Sequence, residues 1–207
     1  MLTSAGFLAA HPDLQWRNEG VRAWREGDRA RALELFLRAA HYGDKASQAM
    51  VAEMYWLGEG VGRDRPRAYA WMDLAAERMY RRFLVRREQY WAELDEAERE
   101  RALAVGEDIY ADYGDAVAKP RLERVLARAR RTVTGTRTGF VGTLQVQVVG
   151  PGGTPIVIDG ARFYDPQYWE PERYWAWQDD VWQAPPKGRV TVGELERIAG
   201  PDGRPSD

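Results

Sequence analysis

The 207-residue sequence contains no cysteine and only two histidines, and its charges nearly cancel: 30 basic against 32 acidic residues leave a formal net charge of -2. Each shortage excludes something. Without cysteine there are no disulfides, no thiolate nucleophiles and no Cys-ligated metals. The histidines, His11 and His41, form no H-x-x-x-H or H-E-x-x-H pair, and there is no EF-hand loop. His11 lies in a His-Pro-Asp lead-in, and His41 ends a helical pattern, where a last-turn cation is ordinary. Neither is placed as the base of a nucleophile. The balanced charge sets up no global field toward nucleic acid or an anionic membrane. The reading is therefore non-enzymatic, with no catalytic residues, no cofactor and no metal. A hydrolase using paired carboxylates stays open as a third class, although helical Asp and Glu are usually solvated.

Long apolar runs are also missing. Ala5 to Ala10 is mildly apolar but short for a signal-peptide core and has no preceding Lys or Arg, so it reads as a helix or lead-in. Nothing else approaches the roughly 20 residues that a membrane span needs. The expectation is a soluble chain without membrane insertion, cytoplasmic as given and periplasmic if an upstream signal has been removed. What the sequence does have is core material: 44% apolar residues, including 9 Trp, 10 Tyr and 5 Phe, which argues against wholesale disorder.

The strongest positive signal is an internal repeat at an offset of about 36 residues, within the range of helical solenoids. Ala32, Phe36 and Ala39-Ala40 fall on Ala68, Met72 and Ala75-Ala76, and Asp28 falls on Asp64. Both copies place apolar residues at i, i+4, i+7 and i+8, one stripe of a helix. The alanine pairs let a neighbouring helix approach closely. Between the stripes, Ala49 to Leu57 is apolar on nearly all sides with Glu53 its lone charge, so that helix is covered on more than one side. The turn Gly58-Glu59-Gly60-Val61-Gly62 follows, then Asp64 as an N-cap and Pro66 near the first helical position. The glycine run lacks the Lys-Ser/Thr of a phosphate loop.

Gly43-Asp44-Lys45-Ala46, Ala52-Glu53-Met54-Tyr55, Gly58-Glu59-Gly60-Val61, Asp64, Ala68, Trp71 and Ala75-Ala76 together resemble a Sel1-like repeat, a relative of the tetratricopeptide repeat. The resemblance is good over Gly43 to Arg78. Over Asp13 to Tyr42, Arg25-Glu26-Gly27-Asp28 replaces the long glycine turn, and the unit is closer to an ordinary tetratricopeptide repeat. The resemblance implies an α/α superhelix whose concave face holds a protein partner, commonly in bacterial signalling, envelope or secretion settings, and it implies no chemistry. Lacking cysteine, the chain departs from the disulfide-rich members linked to β-lactam binding.

A third, degenerate helix pair is expected after Glu77. Its first helix carries Tyr80, Phe83, Leu84, Tyr90, Trp91 and Leu94. A D-x-x-E start at Asp95 and Glu98 opens the second, with Ala102, Gly106, Ile109, Tyr110 and Tyr113 on one face and Gly114 as a stop. Pro120 to Arg131 reads as a capping helix, Leu122, Val125, Leu126 and Ala129 inward, and Arg121, Arg124, Arg128, Arg130 and Arg131 elsewhere. Those arginines are either a local anion or nucleic-acid patch or the solvated face of a cap. The cap is favoured, because no basic excess accompanies them.

Composition changes at Thr132. Residues 132-139 are poor helix material, and Leu144, Val146 and Val148 alternate with Gln145 and Gln147 as in a half-buried strand. Gly150-Pro151-Gly152-Gly153 turns the chain and Ile156-Val157-Ile158 returns it, so a hairpin is expected. It needs the helical body or a further strand such as Arg189 to Val192 to be stable. Eight rings follow: Phe163, Tyr164, Tyr168, Trp169, Tyr174, Trp175, Trp177 and Trp182. Either they anchor the appendage on the solenoid, the favoured reading for a small β unit without disulfides, or they form a recognition surface. The surface would be carried by Tyr168, Trp169, Tyr174, Trp175, Trp177, Asp179 and Asp180.

The whole reads as mainly α: a helical-repeat domain over 1-131 ending in its capping helix, and a small β-containing, aromatic-rich region over 132-207. The expected role is a non-catalytic scaffold or adaptor for another protein or peptide, not a nucleic-acid binder. The alternative is a periplasmic or surface module that takes cell-wall, glycan or peptide ligands through the C-terminal aromatics.

Overall fold

Four aspartates set the helix starts in the first half of the chain. The carboxylates of Asp28, Asp44, Asp64 and Asp95 accept from the backbone N–H groups of Arg31, Ser47, Arg67 and Glu98, so that each cap satisfies an otherwise orphaned donor. Asp95 and Glu98 form the reciprocal capping box that their spacing implies. The computed structural model describes residues 1-134, 145-149 and 154-184. Helices α1 (Ala5–Ala10), α2 (Pro12–Arg25), α3 (Arg29–Ala40), α4 (Lys45–Leu57), α5 (Arg65–Ala75), α6 (Arg81–Glu93), α7 (Glu96–Tyr113) and α8 (Asp115–Thr134) precede a hairpin of β1 (Gln145–Val149) and β2 (Pro155–Asp159). Helices α9 (Gly160–Phe163), α10 (Pro166–Trp169) and α11 (Pro171–Gln183) follow.

Helices α2 and α3 form one nested pair and α4 and α5 the next, with α3 against α4. The alanine stripe does what its spacing implies: Ala32, Ala40, Ala68, Ala75 and Ala76 lie in one continuous core, and Ala39 is buried as well. Two glycines set close approaches between elements. A Cβ on Gly20 would lie 2.7 Å from the Phe36 ring, so α2 and α3 touch there through bare backbone. A Cβ on Gly60 would lie 2.5 Å from the backbone of Arg29, which seats the glycine turn of one repeat on the helix start of the previous one. Helix α4 is covered on several sides, by α3, α5, the end of α7 through a Gln48 to Tyr113 carbonyl bond, and α6 through Trp56 stacked on Tyr90 at 3.9 Å.

The expected third pair does not nest as the first two do: α6 and α7 both pack against α5, α7 the more extensively, with little contact between α6 and α7 themselves. The repeat signature fades at a definite place. Gly43 (φ 79°) and Met79 (φ 59°) both take the left-handed conformation one repeat apart, but Met79 does so without glycine's freedom. The next position is the N-cap Asp44 in one repeat and Tyr80, which makes no side-chain cap, in the other.

Two expectations need correction. The capping helix starts at Asp115, five residues earlier than Pro120, and runs through that proline at the loss of one backbone bond. Ion pairs to Asp115 fix its first turn. Nor is α8 the end of the stack: Leu122 and Leu126 are buried beneath Tyr174 and Trp175 of α11. The aromatic segment, to which the sequence reading gives no secondary structure, is helical. Asp165 caps α10, Pro166 and Pro171 sit at first helical positions, and Tyr174, Gln178 and Trp182 recur every four residues along one side of α11.

The hairpin is present, antiparallel, with Val146 opposite Ile158 and Val148 opposite Ile156. Val146, Val148 and Ile158 pack on Phe7, Phe163 and Trp169. The expected turn at Gly150 to Gly153, residue Leu144 and the further strand at Arg189 to Val192 lie outside the described residues.

Gly60→Ala tests the seating of one repeat on the next. A methyl group at a left-handed position (φ 74°) facing backbone should lower stability by about 2–3 kcal/mol and the thermal midpoint by several degrees, read by denaturant and thermal unfolding. A variant as stable as wild type would show that the turn does not hold the repeats together.

Candidate functional site

Helices α2, α4 and α6 are the first members of their pairs and form one layer. Arg17 of α2 pairs with Asp44 at the start of α4 (2.7 Å), and Arg86 of α6 makes a two-pronged pair with Glu53 of α4 (2.6 and 2.9 Å). Apart from Tyr55, α4 keeps solvent access only at Ala46, Met50, Glu53 and Leu57, which share one face by their spacing. On α6, Arg82, Val85, Arg86 and Gln89 form the adjoining accessible stripe. The result is a mixed surface, with Leu57 56% and Val85 50% exposed beside the Glu53–Arg86 pair. At its edge Trp182 lies between Arg17 (6.0 Å) and Arg82 (5.2 Å) and packs on Tyr80 and Phe83. A separate groove of about 740 Å³ borders α1 and α2, lined by Leu8, Ala9 and Val21 with Asn18, Glu19 and Arg22.

The seven C-terminal residues singled out in the sequence divide. Trp169, Tyr174 and Trp175 are buried. The Trp169 indole N–H donates to the Phe163 carbonyl (2.7 Å), and the Trp175 N–H donates to Glu123 (3.2 Å) while Arg78 lies over its ring at 4.6 Å. The Tyr174 hydroxyl donates to the Asp13 carboxylate, which Gln178 also approaches. Tyr168 and Trp177 are half-buried and meet edge to face at 5.1 Å. Asp179 accepts from the Tyr80 hydroxyl (2.5 Å), and Asp180 is exposed. Helix α11 thus lies along the rim where α2 begins, α3 gives way to α4, and α6 begins.

Two buried polar centres hold that rim, and the sequence reading found neither. Lys45 is 2% exposed; its Nζ donates to the Leu74 carbonyl (3.1 Å) and reaches Glu77 (2.6 Å) and Asp115 (3.1 Å). Arg78 forks onto Asp115 (2.7 and 2.8 Å) and donates to the Gly43 carbonyl (3.2 Å). Burial lowers the Lys45 pKa against its acidic partners, while Arg78 and Lys45 hold the Asp115 carboxyl well below its ordinary range despite burial. The second centre is Asp13, whose carboxyl burial raises against the opposing pull of His11 and the Tyr174 hydroxyl. One sequence cue was available: Lys45 and Asp13 are charges at positions where the helix pattern calls for burial.

Of the two histidines, His11 is buried and His41 is exposed. His11 is fully buried, stacked on Phe7 at 3.8 Å, with its ring nitrogens 2.8 and 2.7 Å from the carbonyl oxygens of Phe7 and Tyr168. His41 is not the last-turn cation expected, since burial and then Arg121 push its pKa down; Arg121 donates to the His41 carbonyl instead. Among the described residues no group of three or more His, Asp or Glu could hold a metal ion, and no helix is long and apolar enough to cross a membrane.

Stacked helix pairs with one accessible layer define an α-solenoid of the repeat type. Residues 19–44 and 45–78 match the Sel1 repeat, so that segment is a tandem pair of Sel1 repeats. No curated protein matches the chain. Among solved structures, the chain is similar to a protective antigen present in uropathogenic Escherichia coli strains displaying an SLR fold, with 24% identity and a TM-score of 0.47. The match covers 54% of this chain and 25% of that one, so this chain spans about a quarter of its length.

Asp13→Asn should change the pH dependence of stability. A carboxyl whose folded-state pKa is raised contributes fully below its unfolded value and loses that contribution as pH climbs through the folded value. The variant should therefore gain stability relative to wild type as pH rises above about 4, followed by urea unfolding at several pH values. Parallel curves would mean that Asp13 titrates alike in the folded and unfolded chain.

Proposed function

We propose that the protein is a non-catalytic interaction module, an adaptor or an inhibitor-like binder, that holds a protein or peptide partner against the face of α4 and α6. The observation that carries this reading is the tandem Sel1 repeat pair joined to an accessible stripe of mixed chemistry. Apolar Leu57 and Val85 there supply contact area, and the Glu53–Arg86 pair gives orientation. Of the C-terminal residues, Tyr168, Trp177 and Asp180 keep solvent access and are offered as further partner contacts. Trp169, Tyr174, Trp175 and Asp179 serve as anchors. The glycan or cell-wall reading has less support, because it needs rings open for stacking and three of the most prominent ones are buried.

The test is affinity purification of the intact protein from its own cells beside a Leu57→Glu/Val85→Glu double variant. Both positions are exposed, so the thermal midpoint should stay within about 1–2 °C of wild type. The amount of specifically retained partner should fall at least about tenfold, the loss expected from placing charge in an apolar contact. Equal retention by the folded double variant would remove this face from the reading.

A further inference from the structure

On the opposite side of the rim from the α4/α6 face, a cleft of about 230 Å³ opens between the α3–α4 turn and α8, lined by His41, Tyr42, Arg121, Arg124, Val125 and Arg128. None of the lining residues is acidic. The three arginines stand at i, i+3 and i+7, one face of α8, and like charges so spaced disfavour the helix by a few tenths of a kcal/mol each. A solvated cap needs no such grouping, since a spread of charges of both signs would serve it better.

The walls are set before any ligand arrives. Arg121 is drawn against the ends of two helices, donating to the carbonyls of His41 (3.3 Å) and Asp112 (2.5 Å), with His41 Nδ1 at 3.2 Å. His41 is held edge-on between Tyr42 (5.3 Å) and Tyr113 (6.2 Å). Tyr42 in turn packs on the core of Leu122, Leu126, Tyr174 and Trp175. Burial lowers the His41 pKa and the Arg121 charge adds to that, against the pull of Asp112.

We propose that this cleft binds a phosphate monoester, presented by a phosphorylated side chain or as a small phosphorylated molecule. Guanidinium forks match phosphate oxygens in geometry, and a dianion gains more from clustered cations than a single carboxylate does. A nucleic-acid strand is disfavoured, since it needs a track of cations along its backbone and this chain carries a net charge of -2.

The test is titration of the full chain, by calorimetry or NMR at low salt, with four probes: inorganic phosphate, a capped phosphoserine tripeptide, its serine counterpart and a short single-stranded oligonucleotide. Phosphate or phosphoserine should bind at least tenfold tighter than the serine tripeptide. Phosphoserine alone would assign the source to a modified protein, and equal binding of the two would assign it to a free phosphorylated molecule. Arg124→Glu/Arg128→Glu, and separately Arg124→Gln, should weaken that binding by at least tenfold and about threefold, with the thermal midpoint as a folding control. Arg22→Glu/Arg25→Glu on α2 should leave it unchanged. The proposal is overturned if neither phosphate probe binds, if the oligonucleotide binds more tightly than both, or if the α2 variant loses as much as the α8 variant.

Discussion

The charge centre built around the buried Lys45, with Glu77, Arg78 and Asp115 closing over it, is the constraint on which the architecture beyond the repeats depends. It joins the start of α4, the turn after α5 and the start of α8. Attraction between buried charges is strong but so is their desolvation, and removing one partner from such a centre typically costs about 3–5 kcal/mol because the others stay buried. Its value is directional. By fixing Asp115, it aims α8 back across the inter-repeat turns, where Leu122 and Leu126 receive Tyr174 and Trp175. Arg78 then meets Trp175 from the other side, so the same guanidinium orders both α8 and α11.

The parts legible in the sequence are those written in local spacing. The alanine stripes, the aspartate caps, the glycine turn and the alternation of Gln and Val around residue 147 each repeat at the period of the element they form. The hydroxyl of Tyr174 meets Asp13 across 161 positions, and no local period carries that information. The start of α8 was misplaced for a related reason. Pro120 is a strong local signal for a helix start, but Asp115 is held by partners about 37 residues upstream and in α4. Ring-rich sequence suits strands as well as helices, so the rings alone assign the aromatic segment no secondary structure. Its Pro166 and Pro171 carried the deciding cue.

The candidate faces were legible to different degrees. The grouping of arginines on one side of α8 was visible, while the opposing wall of His41 and Tyr42 belongs to a turn far away in the chain. The accessible stripe of α4 was hidden for the opposite reason: a helix apolar on nearly every side gives no hint of which side its neighbours leave open. The rings drew attention as a recognition surface, yet the largest of them fill the junction between α2, α8 and α11. Large side chains are the economical way to stabilise a small appendage that has no disulfides.

That α2 is bolted to α11 has a consequence for how the molecule is made. A solenoid ordinarily folds from either end, each unit nesting as it appears, because its contacts are near in sequence. Here the nascent N-terminal repeats can nest while Asp13 and His11 still face water. Only when α11 has left the ribosome does their cover arrive, a long-range closure that the repeats alone cannot complete.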